Sequence, residues 1–368
     1  MTREVMLVAG ARPNFMKIAP VHRSLLDAGM RVSLIHTGQH YDEQMSRLFF
    51  DQLGIPEPDL NLEVGSGSHA VQTAEIMKRF EPVLLERAPG LVVVVGDVNS
   101  TAACSMVAKK LDGVGVAHVE AGLRSFDRTM PEEINRLVTD ALSDLLFVSE
   151  PSGEQNLRLE GVPTQRIHFV GNVMIDTLRE HLERARETGA VAEQGLAPKS
   201  YALITLHRPA NVDQPHVFEP MMDVLADVAR EIPVLFPVHP RTRPALDRWR
   251  ARRSEVPQAL RTSSPIGYLE FLHLMAEARL VLTDSGGIQE ETTALGVPCL
   301  TLRDNTERPV TVEQGTNQLV GRDPQRIRDA ARQVLDGRVK TGRVPDKWDG
   351  KAAERIASAI ASWDGALR

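Results

Sequence analysis

Short β-branched and apolar runs alternate along the chain with longer amphipathic stretches, an order that predicts βαβ units around mostly parallel sheets. In the first half the runs 4–9, 31–36, 91–95, 114–119, 145–148 and 167–170 read as strands, with helical patterns at 15–27, 69–86, 101–111 and 131–141 between them. In the second half 201–206, 233–238, 280–283 and 298–302, with a weaker 319–320, read as further strands. Two successive α/β domains, each Rossmann-like and doubly wound, accommodate this order better than one sheet. The expected division is an N-terminal domain over 1–172 and a C-terminal domain over 173–350, with 178–200 read as helix plus linker. The amphipathic stretch 351–365 is expected to return to the first domain as a C-terminal helix.

Length agrees with two domains: 368 residues at about 150 each. The 43 basic and 49 acidic side chains leave a formal charge of -6, so no global positive field favours nucleic acid or an anionic membrane. Any anionic ligand needs a local pocket. The two cysteines, Cys104 and Cys299, both lie in apolar runs, which argues against a disulfide framework and for a reducing compartment. The N-terminal apolar run is too short for a signal-peptide core, and no uncharged run reaches the roughly 18 residues a membrane span needs. A cytoplasmic protein is expected.

Ligands of open α/β sheets bind beyond the carboxyl ends of the strands. Here those ends carry Gly10-Ala11-Arg12, His36-Thr37-Gly38, Gly96-Asp97, His118-Val119-Glu120, Leu206-His207-Arg208, Val238-His239-Pro240 and Asp284-Ser285-Gly286-Gly287. So many polar ends, from both halves, favour one polar cleft. In the last of them, two glycines after a strand suggest a sharp turn and close ligand approach, while the following helix start stabilises an anion. Glu291, further along that helix, either accepts hydrogen bonds from sugar hydroxyls or caps the helix start. Arg12, Lys17 and Arg308 are cations near strand ends, either diphosphate ligands or solvated charges. Neither the three-glycine dinucleotide fingerprint nor a P-loop occurs, so NAD and a Walker-type nucleotide site are not supported.

Asp97 and Glu120 end neighbouring strands, and Glu132 opens a helix after Pro131. Acids in a first helical turn usually answer the dipole, which is the alternative for Glu132 and Glu133. Converging on one cleft, three carboxylates supply acid and base for proton transfer. The 11 histidines form no metal-ligand spacing, so no metal is expected. A serine-hydrolase elbow is also missing.

Taken in order, Gly10-Ala11-Arg12-Pro13, Thr37-Gly38-Gln39-His40, Gly96-Asp97, the stretch 118–124, Pro131-Glu132-Glu133-Ile134-Asn135-Arg136 and the stretch 283–291 resemble the non-hydrolysing UDP-N-acetylglucosamine 2-epimerases. The resemblance spans 4–365. It implies a glycosyltransferase-B-type fold with a UDP-sugar in a cleft between two Rossmann-like domains, a homodimer, and neither metal nor NAD. It also implies Asp97, Glu120 and Glu132 as the catalytic carboxylates. Arg12, Lys17, His207, Ser285, Gly286, Gly287 and Arg308 would then hold the diphosphate, Glu291 the ribose hydroxyls, and Phe271 would join the substrate-binding set. Many bacterial members carry H-R-R-E-N where this chain has His207-Arg208-Pro209-Ala210-Asn211, which places it nearer an archaeal-like branch and leaves allosteric activation by UDP-GlcNAc open. Enzymes epimerising UDP-diacetamido-glucuronate share Arg124-Ser125-Phe126 and the stretch 130–133, so that substrate stays an alternative. A hydrolysing relative and a nucleotide-sugar binding protein are the others.

Overall fold

The computed structural model describes residues 4–10, 12–38 and 52–365, without the side chains of Arg12 and Pro13. The chain divides into two compact units, one formed by the described parts of Met1–Glu180 and Asp346–Arg368, the other by His181–Pro345. The change of unit falls inside the helix Val173–Glu187.

In the first unit the described strands are β1 (Val5–Ala9), β2 (Val32–His36), β3 (Leu60–Asn61), β4 (Leu91–Val95), β5 (Gly115–Val119), β6 (Leu145–Val148) and β7 (Ile167–Phe169). They form one sheet in the order β3-β2-β1-β4-β5-β6-β7, every pair parallel. A parallel sheet covered by helices on both faces needs apolar side chains pointing both ways, which explains why β4 reads Leu-Val-Val-Val-Val without alternation. Val5 of β1 registers with Val32 on one side and Leu91 on the other, so the chain order reverses at β1/β4 and opens a crevice at their carboxyl ends.

The last helix, Ala352–Ser362, packs in this same unit. Asp176 accepts hydrogen bonds from the N–H groups of Ala352 and Ala353 at 3.1 and 2.7 Å, satisfying donors that a helix start leaves open. Trp348, fully buried, donates its indole N–H to the Ser149 carbonyl at 2.9 Å.

The second unit repeats the plan with β8 (Ala202–Thr205), β9 (Val234–Pro237), β10 (Leu260–Ser263), β11 (Leu280–Thr283), β12 (Cys299–Thr301) and β13 (Asn317–Leu319). Their order is β10-β9-β8-β11-β12-β13, again all parallel, with the reversal at β8/β11. Ile204, Phe236, Trp249, Leu282 and Leu300 belong to its core. The protein is therefore α/β, with two Rossmann-like doubly wound domains. The sequence reading omitted the edge strands β3 and β10 and placed β13 late, at 319–320. Among the described residues no helix is long and apolar enough to cross a membrane.

Candidate active site

The carboxyl ends of β4 and β5 lie side by side, and each continues into an acid. Gly96 leaves β4 with φ +70° and sets Asp97 half-buried, its Oδ2 2.6 Å from Nη2 of Arg136. Glu120 follows β5 at φ +70°, in a left-handed conformation that costs a non-glycine residue about 1–3 kcal/mol and that surrounding contacts must hold. Its Oε2 lies 2.5 Å from Nζ of Lys17, both side chains being buried. Among the described residues its Oε1 is buried without a hydrogen-bond partner. Glu132 sits half-buried in the first turn of the helix Pro131–Leu142. Arg12 opens the helix Arg12–Asp27, and its side chain lies outside the described residues, as do Gln39 and His40.

Buried polar groups brace the two acids from behind. His118, fully buried on β5, places Nδ1 2.6 Å from Asp140 Oδ1 and Nε2 2.8 Å from the Gly96 carbonyl, so β5 holds the turn that carries Asp97. Burial alone would raise the Asp140 pKa, yet His118 and Arg124 hold it below the ordinary carboxylate range. Glu133, one residue past Glu132, is buried and accepts from the Ser125 N–H and hydroxyl, the Phe126 N–H and Arg136 Nη1. Arg136 thus links Glu133 to Asp97. That clamp presents Phe126 at φ +58°, 79% exposed.

In the second unit Asp284, fully buried after β11, accepts from the N–H groups of His207 and Arg208 and from Asn211 Nδ2, and lies 3.0 Å from His207 Nδ1. Burial opposes ionisation of Asp284, but His207 and those backbone donors keep its pKa below the usual value. Ser285 is the N-cap of the helix Gly286–Leu295, and a helix start leaves its first N–H groups without intrahelical partners, a setting that favours negative charge. The chain turns from β11 into this helix within two residues, and Gly286 takes part in that turn without entering the left-handed region. A Cβ there would lie 2.9 Å from Arg308 Nη1, so the glycine makes room for a buried guanidinium. Gly287 follows in the first helical turn. Arg308 is oriented by Nε donation to Glu290 at 2.7 Å. Glu291 is no helix cap: buried, it accepts from the Tyr268 hydroxyl at 3.3 Å. Burial pushes its carboxyl up to about 8, with Tyr268 opposing and Glu290 adding to the rise. Phe271 stands half-buried on the helix Tyr268–Ala276, which also carries Tyr268.

The first unit therefore brings together Asp97, Glu120 and Lys17, with Glu132 on the adjoining helix. The second brings together Ser285, Gly286 and Arg308, while Asp284 ties His207 to the end of β11. Sequence reasoning named Glu133, Arg136 and Asp284 without their supporting roles and missed Asp140 and Tyr268. For Asp284 a signal existed: an acid at a strand end beside the reversal point, directly before a serine N-cap. Among the described residues no group of three or more His, Cys, Asp or Glu is placed to hold a metal ion.

A profile of the family described as UDP-N-acetylglucosamine 2-epimerase matches residues 24–361. The UDP-N-acetylglucosamine 2-epimerase of Methanocaldococcus jannaschii is 40% identical over 360 residues, covering 96% of this chain and 98% of that protein. The UDP-2,3-diacetamido-2,3-dideoxy-D-glucuronate 2-epimerase of Pseudomonas aeruginosa is 38% identical over 368 residues, covering 97% and 99%. The crystal structure of the M. jannaschii enzyme in complex with UDP-GlcNAc and UDP superposes with a TM-score of 0.89 at 39% identity, covering 98% of this chain and 100% of that one. Similarity of this extent, running through both units, makes the chain a member of the non-hydrolysing UDP-N-acetylglucosamine 2-epimerase family.

Proposed function

We propose that this protein is an isomerase that interconverts UDP-GlcNAc and UDP-ManNAc by eliminating and re-adding UDP. The C2 proton of the sugar is not acidic, because its neighbours are an acetamide nitrogen and an acetal carbon rather than a carbonyl. Departure of UDP solves this. The C1–O bond breaks with its electron pair going to the diphosphate, a carboxylate takes the C2 proton, and the C–H pair becomes the C1=C2 bond of 2-acetamidoglucal. Return of a proton to the opposite face of C2 and of the diphosphate oxygen to C1 gives the epimer.

Such a reaction needs acid and base groups at C2 and donors for a leaving diphosphate, which gains a negative charge as the C1–O bond breaks. Asp97, Glu120 and Glu132 are assigned to the protons. Arg12, His207, Ser285, Gly286, Gly287 and Arg308 are assigned to the diphosphate, Glu291 to the ribose hydroxyls, and Phe271 to the remaining substrate contacts. The observation that carries the reading is the pair of acids at the ends of adjacent strands β4 and β5, in a chain similar over its length to named 2-epimerases. A UDP-diacetamido-glucuronate substrate is the second reading, favoured by the similarity to the P. aeruginosa enzyme. A homodimer in the cytoplasm completes the proposal; it rests on the family resemblance and the reduced-cysteine composition, and sedimentation of the purified protein tests the dimer.

Incubation with UDP-GlcNAc in heavy water, followed by NMR, tests the activity. The expected product is UDP-ManNAc deuterated at C2. Free N-acetylmannosamine as the main product would select a hydrolysing enzyme, and binding without exchange or epimer would reject UDP-GlcNAc as substrate and move the test to the diacetamido uronate.

A further inference from the structure

The family resemblance puts Lys17 on the diphosphate, but its surroundings give it other work. Lys17 projects from the helix Arg12–Asp27 onto the end of β5, where Nζ lies 2.5 Å from Glu120 Oε2, with the two side chains 11% and 3% exposed. Asn14, one turn earlier, donates to the Val95 carbonyl at 2.8 Å and seats this end of the helix on β4. The pair lies against the end of β4: a Cβ at Gly96 would be 3.5 Å from Lys17 Nζ and 3.7 Å from Glu120 Oε2, ordinary van der Waals contact. Among the described residues, Asp97 at the neighbouring strand end pairs with Arg136, and His118 of β5 pairs with Asp140. An ammonium in contact with a carboxylate in a buried site is largely neutralised and adds little net attraction for a second anion.

We propose that Lys17 is a positioning residue for Glu120, and not a ligand of the leaving diphosphate. By holding Oε2 it fixes the rotamer and charge of Glu120 and leaves Oε1, buried and without a hydrogen-bond partner among the described residues, as the oxygen that exchanges a proton with C2. In the elimination direction the C2–H bond breaks, an O–H bond forms at Oε1, and the C–H electron pair becomes the C1=C2 bond as the C1–O pair leaves with UDP. This inference rests on the epimerase reading.

The test compares the full-length wild-type enzyme with Lys17→Met and Lys17→Arg. Turnover is measured with ordinary UDP-GlcNAc and with UDP-GlcNAc deuterated at C2, and UDP affinity is measured by calorimetry. In Lys17→Met, kcat is expected to fall by about 100-fold or more, the usual scale for a lost acid or base function, with the UDP dissociation constant within about twofold. The deuterium isotope effect is expected to rise above wild type, because proton transfer at C2 becomes slower relative to C1–O cleavage. Lys17→Arg, which keeps the charge, is expected to recover part of kcat and to share the unchanged UDP affinity, and it decides the matter if Lys17→Met does not fold. A loss of about tenfold or more in UDP affinity with an unchanged isotope effect would show Lys17 on the diphosphate and overturn the proposal. Unchanged kcat in Lys17→Met would overturn it as well. A wild-type enzyme that makes no epimer is a different failure, that of the epimerase reading, and takes this inference with it.

Discussion

Among single residues Glu291 gives the sharpest pH test, because it is a buried carboxylic acid with one neutral donor, Tyr268, and a second acid, Glu290, next to it in sequence. Its folded pKa, about 8, is above the ordinary carboxylate value of 4.5, so the folded state binds the proton more tightly than the unfolded chain. The associated stability is present in full below pH 4.5 and is lost as pH rises through about 8. Each unit of separation corresponds to about 1.4 kcal/mol, so a loss on the order of a few kcal/mol is expected across that window. Glu291→Gln carries a neutral side chain at every pH. Its thermal unfolding temperature relative to wild type should therefore climb between pH 5 and pH 8.5, measured without ligand. A difference that stays flat across the window would contradict an acid neutral in the fold.

At the scale of elements, strand ends and helix starts do the positioning. The helix Gly286–Leu295 begins against Arg308, and Gly286→Ala tests that fit. In an open helix start alanine would stabilise by about 1 kcal/mol over glycine. Here its Cβ meets a guanidinium that is buried and tied to Glu290, so the variant is expected to lose stability by about 1–2 kcal/mol in urea unfolding and to bind UDP at least tenfold more weakly. Equal stability and affinity would show that Arg308 moves aside at no cost. The same elements show what the sequence discloses and what it hides. Strands such as β4 were legible because burial on both faces demands a continuous apolar run, and the acids and the Ser-Gly-Gly start were legible because they follow such runs directly. β3, two residues long and only partly buried, and β10, Leu-Arg-Thr-Ser, lie at sheet edges where that demand lapses. The Gly286 role and the Glu133–Arg136–Asp97 chain were illegible for another reason: they depend on which residue a side chain reaches, and Arg308 is far from Gly286 in sequence.

Over the whole molecule, one winding is used twice, each sheet reversing its strand order beside its first strand. The two units carry different chemistry on the same plan: acids at the ends of β4 and β5 in the first, a helix N-terminus with Arg308 after β11 in the second. With a formal charge of -6, the molecule has no overall field to gather a diphosphate, so the proposed binding depends on local donors. This division of labour matches a reaction in which UDP leaves and returns while protons move at the neighbouring carbon. Positional isotope exchange tests that claim most directly, using UDP-GlcNAc with a heavy oxygen isotope in the bridge between C1 and the β-phosphate. If the C1–O bond breaks and UDP stays bound, the β-phosphate turns before re-addition, and nucleotide sugar recovered from the reaction carries the label in non-bridging positions. Epimer accumulating with every label still in the bridge would contradict the account.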